Sequence, residues 1–114
     1  MSQNTKLIYA TAPNSEEAAG IGRALVDARL VACVNIIEGV RSIYRWEEKI
    51  EDGKEVVIIM KTTEDKIDAV TEKIKSMHSY DCPAIVALDI TGGNDLFLQW
   101  VANEVGLKTQ GDKE

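Results

Sequence analysis

One histidine, two prolines, two cysteines and one phenylalanine are all that this chain of 114 residues holds of those types. Each scarcity narrows the field. Any catalytic triad has to use His78, and Ser42, Ser76 and Ser79 stand in no G-x-S-x-G setting, so a serine hydrolase is not expected. The N-terminus Met1-Ser2-Gln3-Asn4-Thr5 lacks a basic start followed by an apolar core, so a secretory leader is not expected and the cytoplasm is the expected compartment. With Cys33 and Cys82 in strand-like surroundings, free thiols are then expected, available as soft ligands. No apolar run approaches the roughly 20 residues of a membrane helix, and a membrane is not an expected partner. Positive charge is also in deficit: 13 Lys and Arg against 19 Asp and Glu leave a net charge of −6, which repels phosphate backbones and removes nucleic acid from the expected partners. Internal repeats and low-complexity segments are absent.

What remains is ordinary globular composition, 45% hydrophobic and 28% charged, in a length suited to one domain. The expected organisation is a disordered N-terminus over residues 1–5, a domain over 6–105 and a polar tail over 106–114. Lys6 to Ala12 reads as a strand ended at Pro13, followed by a helix capped by Asn14 or Ser15 with Ala18, Ile21, Leu25 and Ala28 as its apolar stripe. From Val31 to Trp46 the chain has strand composition with apolar residues on both faces: Ala32, Val34 and Ile36 on one, Val31, Cys33 and Ile37 on the other. Glu38-Gly39 interrupts it with a bulge or bend. The Asp52-Gly53 pair suits a two-residue type I′ turn, predicting that Tyr44–Ile50 folds back on Glu55–Thr62.

A second helix runs from about Glu64 to Met77, then a loop over His78–Pro83, a strand over Ala84–Ile90, and a last helix capped by Asn94 and carrying Leu96, Phe97, Trp100 and Val101. This order predicts an α+β fold, a ferredoxin-like βαββαβ sandwich with an extended β-hairpin and a C-terminal helix. Two helices cover one sheet face. The other is left apolar, and such patches mark association surfaces, so a homo-oligomer joined sheet face to sheet face is expected.

Chemistry-bearing residues are few. His78, Asp81 and Cys82 place imidazole, carboxylate and thiolate within five positions, ligand types suited to a borderline-soft divalent metal; alternatively His78 merely ends the helix and Pro83 starts a strand. Cys33 is either a small core residue or a ligand. Tyr44, Trp46, Lys61, Thr62, His78 and Tyr80, from strand ends and the loop, can converge in a cleft at a subunit boundary; alternatively the two aromatics of the hairpin pack an interface, Lys61 is a surface charge, and Thr62 with Thr63 caps a helix. Glu47 and Glu48, read as strand neighbours on opposite faces, are expected to serve solubility. Gly20-Ile21-Gly22 lies inside a helix, where glycine permits close packing on the sheet, and is not a dinucleotide fingerprint.

The runs A-C-V-N-I (32–36), S-I-Y-R-W-E (42–47), K-I-E (49–51), I-M-K-T-T (59–63) and H-S-Y-D-C-P (78–83), with Gly93-Asn94 and Leu98-Gln99-Trp100, resemble the CutA family of divalent-cation tolerance proteins over about Ile8 to Val105. The resemblance implies an interlocked homotrimer whose long hairpin reaches onto neighbouring subunits, and a link to copper and other divalent cations. Cys33 and His78 stand at matching positions as candidate ligands; with Asp81 and Cys82 of the loop they are the candidate metal set, and Tyr44, Trp46, Lys61 and Tyr80 of the cleft are the candidate cofactor-binding set. This chain departs from the pattern at Ser79, Asp81, Cys82 and Ala84, where relatives read H-P-Y-E-V-P-E. It has Glu48 for the glycine of W-E-G-K, and Ala10 where some relatives carry a cysteine. Cys82 is a candidate replacement thiolate. The expected function is non-enzymatic divalent-cation binding; the alternatives are a small-effector module similar to PII proteins, a trimeric scaffold, or an enzyme whose reaction the residues do not name.

Overall fold

The computed structural model describes residues 4–106. Strand β1 (Thr5–Ala12) leads to helix α1 (Ser15–Asp27), then β2 (Cys33–Trp46), β3 (Lys49–Thr63), α2 (Ile67–Met77, preceded by one 3-10 turn), β4 (Ile85–Asp89) and α3 (Asp95–Glu104). The four strands form one antiparallel sheet in the order β2-β3-β1-β4. The expected α+β architecture is therefore the observed one. Thr5, expected in the disordered N-terminus, is the first residue of β1 and is buried; the polar tail beyond Gly106 lies outside the described residues.

The sheet's two faces can be read from register. Ile8, Ala10 and Ala12 pair with Met60, Ile58 and Val56, and all six are buried beneath Ala18, Ile21 and Leu25 of α1 and Val70 and Ile74 of α2. Asn14 caps α1, accepting from the Glu17 amide at 2.8 Å, and Asn94 caps α3 from 3.0 Å, which satisfies amides that the first turns leave unpaired. Gly22 brings α1 down on β2: a Cβ there would stand 2.9 Å from Val34 Cγ1. Helix α3 sits on Ala32 through Val101 and Val105, tied to the turn after α1 by the Arg29–Glu104 ion pair at 3.1 Å.

The opposite face carries Leu7, Tyr9 and Thr11 of β1 against Lys61, Ile59 and Val57 of β3, flanked by Val86 and Leu88 of β4. Tyr9, Ile37, Val86 and Leu88 keep a third to a half of their surface exposed. The expectation of a second apolar face without a helix to cover it thus holds for the middle of the sheet.

The hairpin differs from expectation. Its turn is Glu47-Glu48, both at positive φ (51° and 70°), between the Trp46–Lys49 pair, the signature of a two-residue type I′ loop. A turn at Asp52-Gly53 would set the apolar run Val56–Met60 against Lys49–Arg45. The observed register sets Val57–Met60 against Ile37–Val34 instead. Apolar pairing over the longer strand outweighs the local preference of Asp-Gly and holds two glutamates in the left-handed region. The bulge at Gly39 (φ 79°), expected from Glu38-Gly39, shifts the pairing by one between Ile37 and Val40. Arg41 then reaches Asp52 with two hydrogen bonds at 2.9 and 2.8 Å. Beyond Glu55, β3 has only β2 as a neighbour, so a two-stranded ribbon projects from the body. The radius of gyration is 15.1 Å, against about 13 Å for a compact chain of this length.

Candidate functional site

Where α2 ends, the chain turns at His78 and crosses the end of the sheet, and this crossing builds the most chemically furnished region. The His78 side chain is fully buried. Its Nε2 lies 2.7 Å from the Thr11 carbonyl oxygen and its Nδ1 accepts from the Tyr80 amide at 3.1 Å. That pattern assigns the proton to Nε2, which donates to Thr11. Glu17, in the first turn of α1, accepts from the Ser79 amide at 2.8 Å and approaches His78 Nδ1 at 3.5 Å. Imidazole and carboxylate together therefore fix the loop.

Fixing the loop aims Tyr80. Its ring lies 4.7 Å from that of His78, and its hydroxyl donates to Glu55 at 2.8 Å. Burial, then the adjacent Glu55 carboxylate, holds the Tyr80 phenol well above the usual tyrosine range. A cavity of about 440 Å³ opens beside this pair, lined by Thr11, Tyr44, Trp46, Glu55, Tyr80, Asp81, Cys82 and Ala84. Tyr44 and Trp46 share the sheet face of Glu55 because cross-strand pairing sets Val40 against Glu55 and Tyr44 against Glu51.

Of the expected cofactor-binding set, Tyr44, Trp46 and Tyr80 meet in this cavity. Lys61 does not: it lies four strand positions from Val57 and hydrogen-bonds Asn35. Thr62 is no cap either, being buried with its hydroxyl donating to the Leu30 carbonyl at 2.6 Å.

The expected metal set divides. Asp81 and Cys82 both line the cavity. Cys33 pairs with Lys61, whose partner Leu7 is four residues from Thr11, roughly 13 Å along the strand. His78 has both ring nitrogens engaged by backbone. Among the described residues no three His, Cys, Asp or Glu side chains are gathered closely enough to hold an ion. The described donors of one chain thus do not form a closed metal centre, and Asp81 and Cys82 contribute two that are adjacent in sequence.

Three contributors escape sequence reasoning. Glu17 reads only as a favourable first-turn acid, Thr11 acts through its backbone, and Glu55 faces the aromatics only once the turn is placed at Glu47-Glu48. The signal for Glu55 was available in the apolar register.

Comparison with known proteins gives one consistent match. The family profile described as CutA1 divalent ion tolerance protein matches residues 6–104. A chloroplastic CutA protein of Arabidopsis thaliana is 39% identical over 97 residues, covering 85% of this chain. This chain spans 53% of that relative, about half its length. The divalent-cation tolerance protein CutA of Thermus thermophilus is 40% identical over 101 residues, 89% of this chain and 98% of the relative. Solved structures of CutA1 agree in fold: the Thermus thermophilus protein at TM-score 0.87 and 39% identity, over 90% of this chain and 99% of that one, and the Oryza sativa protein at 0.86 and 40%, over 89% and 93%.

Proposed function

Because this chain belongs to the CutA1 divalent ion tolerance family, we propose that it handles divalent cations as a homotrimeric binding protein, with copper held at the Asp81–Cys82 rim of the cavity. The observation that carries the reading is that a carboxylate and an exposed free thiol, adjacent in sequence, line the same cavity. Thiolate and carboxylate are suitable donors for copper, and an ion held by two protein donors keeps open positions for water or a further ligand. Such a site exchanges its ion. That suits tolerance better than a resident cofactor would, and no chemical step is assigned to it. The reading places this work in the cytoplasm, where thiols stay reduced.

Assembly is supported by the projecting ribbon. A two-stranded hairpin alone is marginal in water, yet this one exposes Ile43 at 62% and Ile50 at 67% on the ribbon face opposite Tyr44 and Trp46. Neighbouring copies that cover the ribbon and the apolar sheet face account for both. The small-effector alternative draws support from the cavity volume, within the usual range for ligand sites, but the two-residue turn leaves no long mobile loop between the central strands.

Calorimetric titration of the reduced protein with a copper salt tests the metal reading. Wild type and Cys33→Ser are expected to bind alike, and Cys82→Ser and Asp81→Asn to bind at least about tenfold more weakly. No heat from the wild type, or equal binding by Cys82→Ser, overturns the assignment. Light scattering tests the assembly: one species at three times the chain's 12.6 kDa is expected, and a folded monomer at micromolar concentration refutes it.

A further inference from the structure

The cavity beside Tyr80 is furnished for more than an inorganic ion. Its walls carry three aromatic side chains, Tyr44, Trp46 and Tyr80, and two carboxylates, Glu55 and Asp81, with no lysine or arginine among them. Aromatic faces present negative potential and attract cations over the ring. The carboxylates add charge of the same sign, one of them partly committed, since Glu55 accepts from the Tyr80 hydroxyl. The Tyr80 hydroxyl donates that bond and, as a neutral phenol, adds no charge of its own to the lining.

We propose that this cavity binds a small organic cation bearing a quaternary ammonium group. Two features favour that class over a bare ammonium or a metal ion. A methylated nitrogen has no N–H to satisfy, so three ring faces and nearby negative charge can replace the water it loses, whereas a primary ammonium brings three donors to a lining in which Glu55 already accepts from Tyr80. A volume of about 440 Å³ admits such a head group with a short chain. A metal ion, in contrast, draws on the Asp81–Cys82 rim and has no use for the rings. The two ligands are separable in experiment.

The chain's two tryptophans make the test direct. In the full-length Trp100→Phe protein, Trp46 is the sole indole, and its fluorescence is followed during titration with choline chloride in copper-free buffer, with potassium chloride matching ionic strength. Saturable quenching by choline is expected, at least about tenfold weaker for 3,3-dimethyl-1-butanol, the neutral isostere of the same shape. Glu55→Gln, which keeps an acceptor for the Tyr80 hydroxyl, is expected to weaken choline several-fold and leave the isostere unchanged. Choline without saturable effect to about 100 mM, the result if a neighbouring copy's side chain fills the cavity, overturns the proposal. Equal affinity for the isostere overturns it as well. Because copper is absent, choline binding can fail while the metal reading stands, and the reverse.

Discussion

His78 is a buried side chain that ties the loop after α2 to the body. His78→Ala deletes the hydrogen bonds to the Thr11 carbonyl and the Tyr80 amide and empties a buried volume, so a loss of about 2–4 kcal/mol is expected from denaturant unfolding. The imidazole's place in the sequence, at the end of a helix and four residues before a cysteine, is equally compatible with a ligand. What separates the two roles is that Thr11 and Tyr80 use both nitrogens, and contacts to backbone leave no mark in the pattern of side chains. Tyr80 carries a pH dependence at the alkaline end. Its pKa is raised in the fold, so its contact with Glu55 stabilises fully below the ordinary tyrosine range of about pH 10 and is lost as pH rises through the higher folded value. Absorbance titration of the three tyrosines is expected to show a last phase at alkaline pH that is missing from Tyr80→Phe.

At the scale of elements, two glycines of α1 make opposite predictions. Gly20→Ala meets nothing within 4 Å and is expected to stabilise by up to about 1 kcal/mol through helix propensity. Gly22→Ala gains the same propensity but drives a methyl into Val34, a branched side chain with little freedom to yield, at a typical overpacking cost of about 1–3 kcal/mol; net destabilisation is expected. Paired thermal melts distinguish them. The hairpin turn gives a third expectation: Glu48→Gly relieves a residue at φ 70° and should stabilise by up to about 1 kcal/mol in denaturant titration. Helices, caps and the two-faced strands were legible because each follows from local spacing. The turn was not, because Asp52-Gly53 states a local preference while the position of Glu47-Glu48 depends on which apolar run lies opposite Val56–Met60. With the turn misplaced, Glu55 was invisible as part of the cavity, even though Tyr44, Trp46 and Tyr80 could be named.

For the whole molecule, charge and exposure divide the surface by use. The helix side closes a conventional core, and no described helix is long and apolar enough to cross a membrane. The sheet side leaves Tyr9, Val86 and Leu88 uncovered, and the ribbon extends the longest dimension to 51 Å. These are the surfaces that the proposed assembly would cover, and a single chain's periodicity could announce the apolar face but not its occupant. The ribbon also gives the molecule an internal clock. Amides of the body are shielded by four strands and two helices, whereas those between Arg41 and Gly53 have only each other within one chain. In hydrogen–deuterium exchange, the ribbon of a lone copy is therefore expected to label orders of magnitude faster than β1, and assembly to slow the ribbon selectively. Equal labelling of ribbon and body at high dilution would show instead that the arm holds its shape unaided. The expected difference would make the lifetime of the association readable from a dozen backbone amides, without a tag or a partner-specific probe.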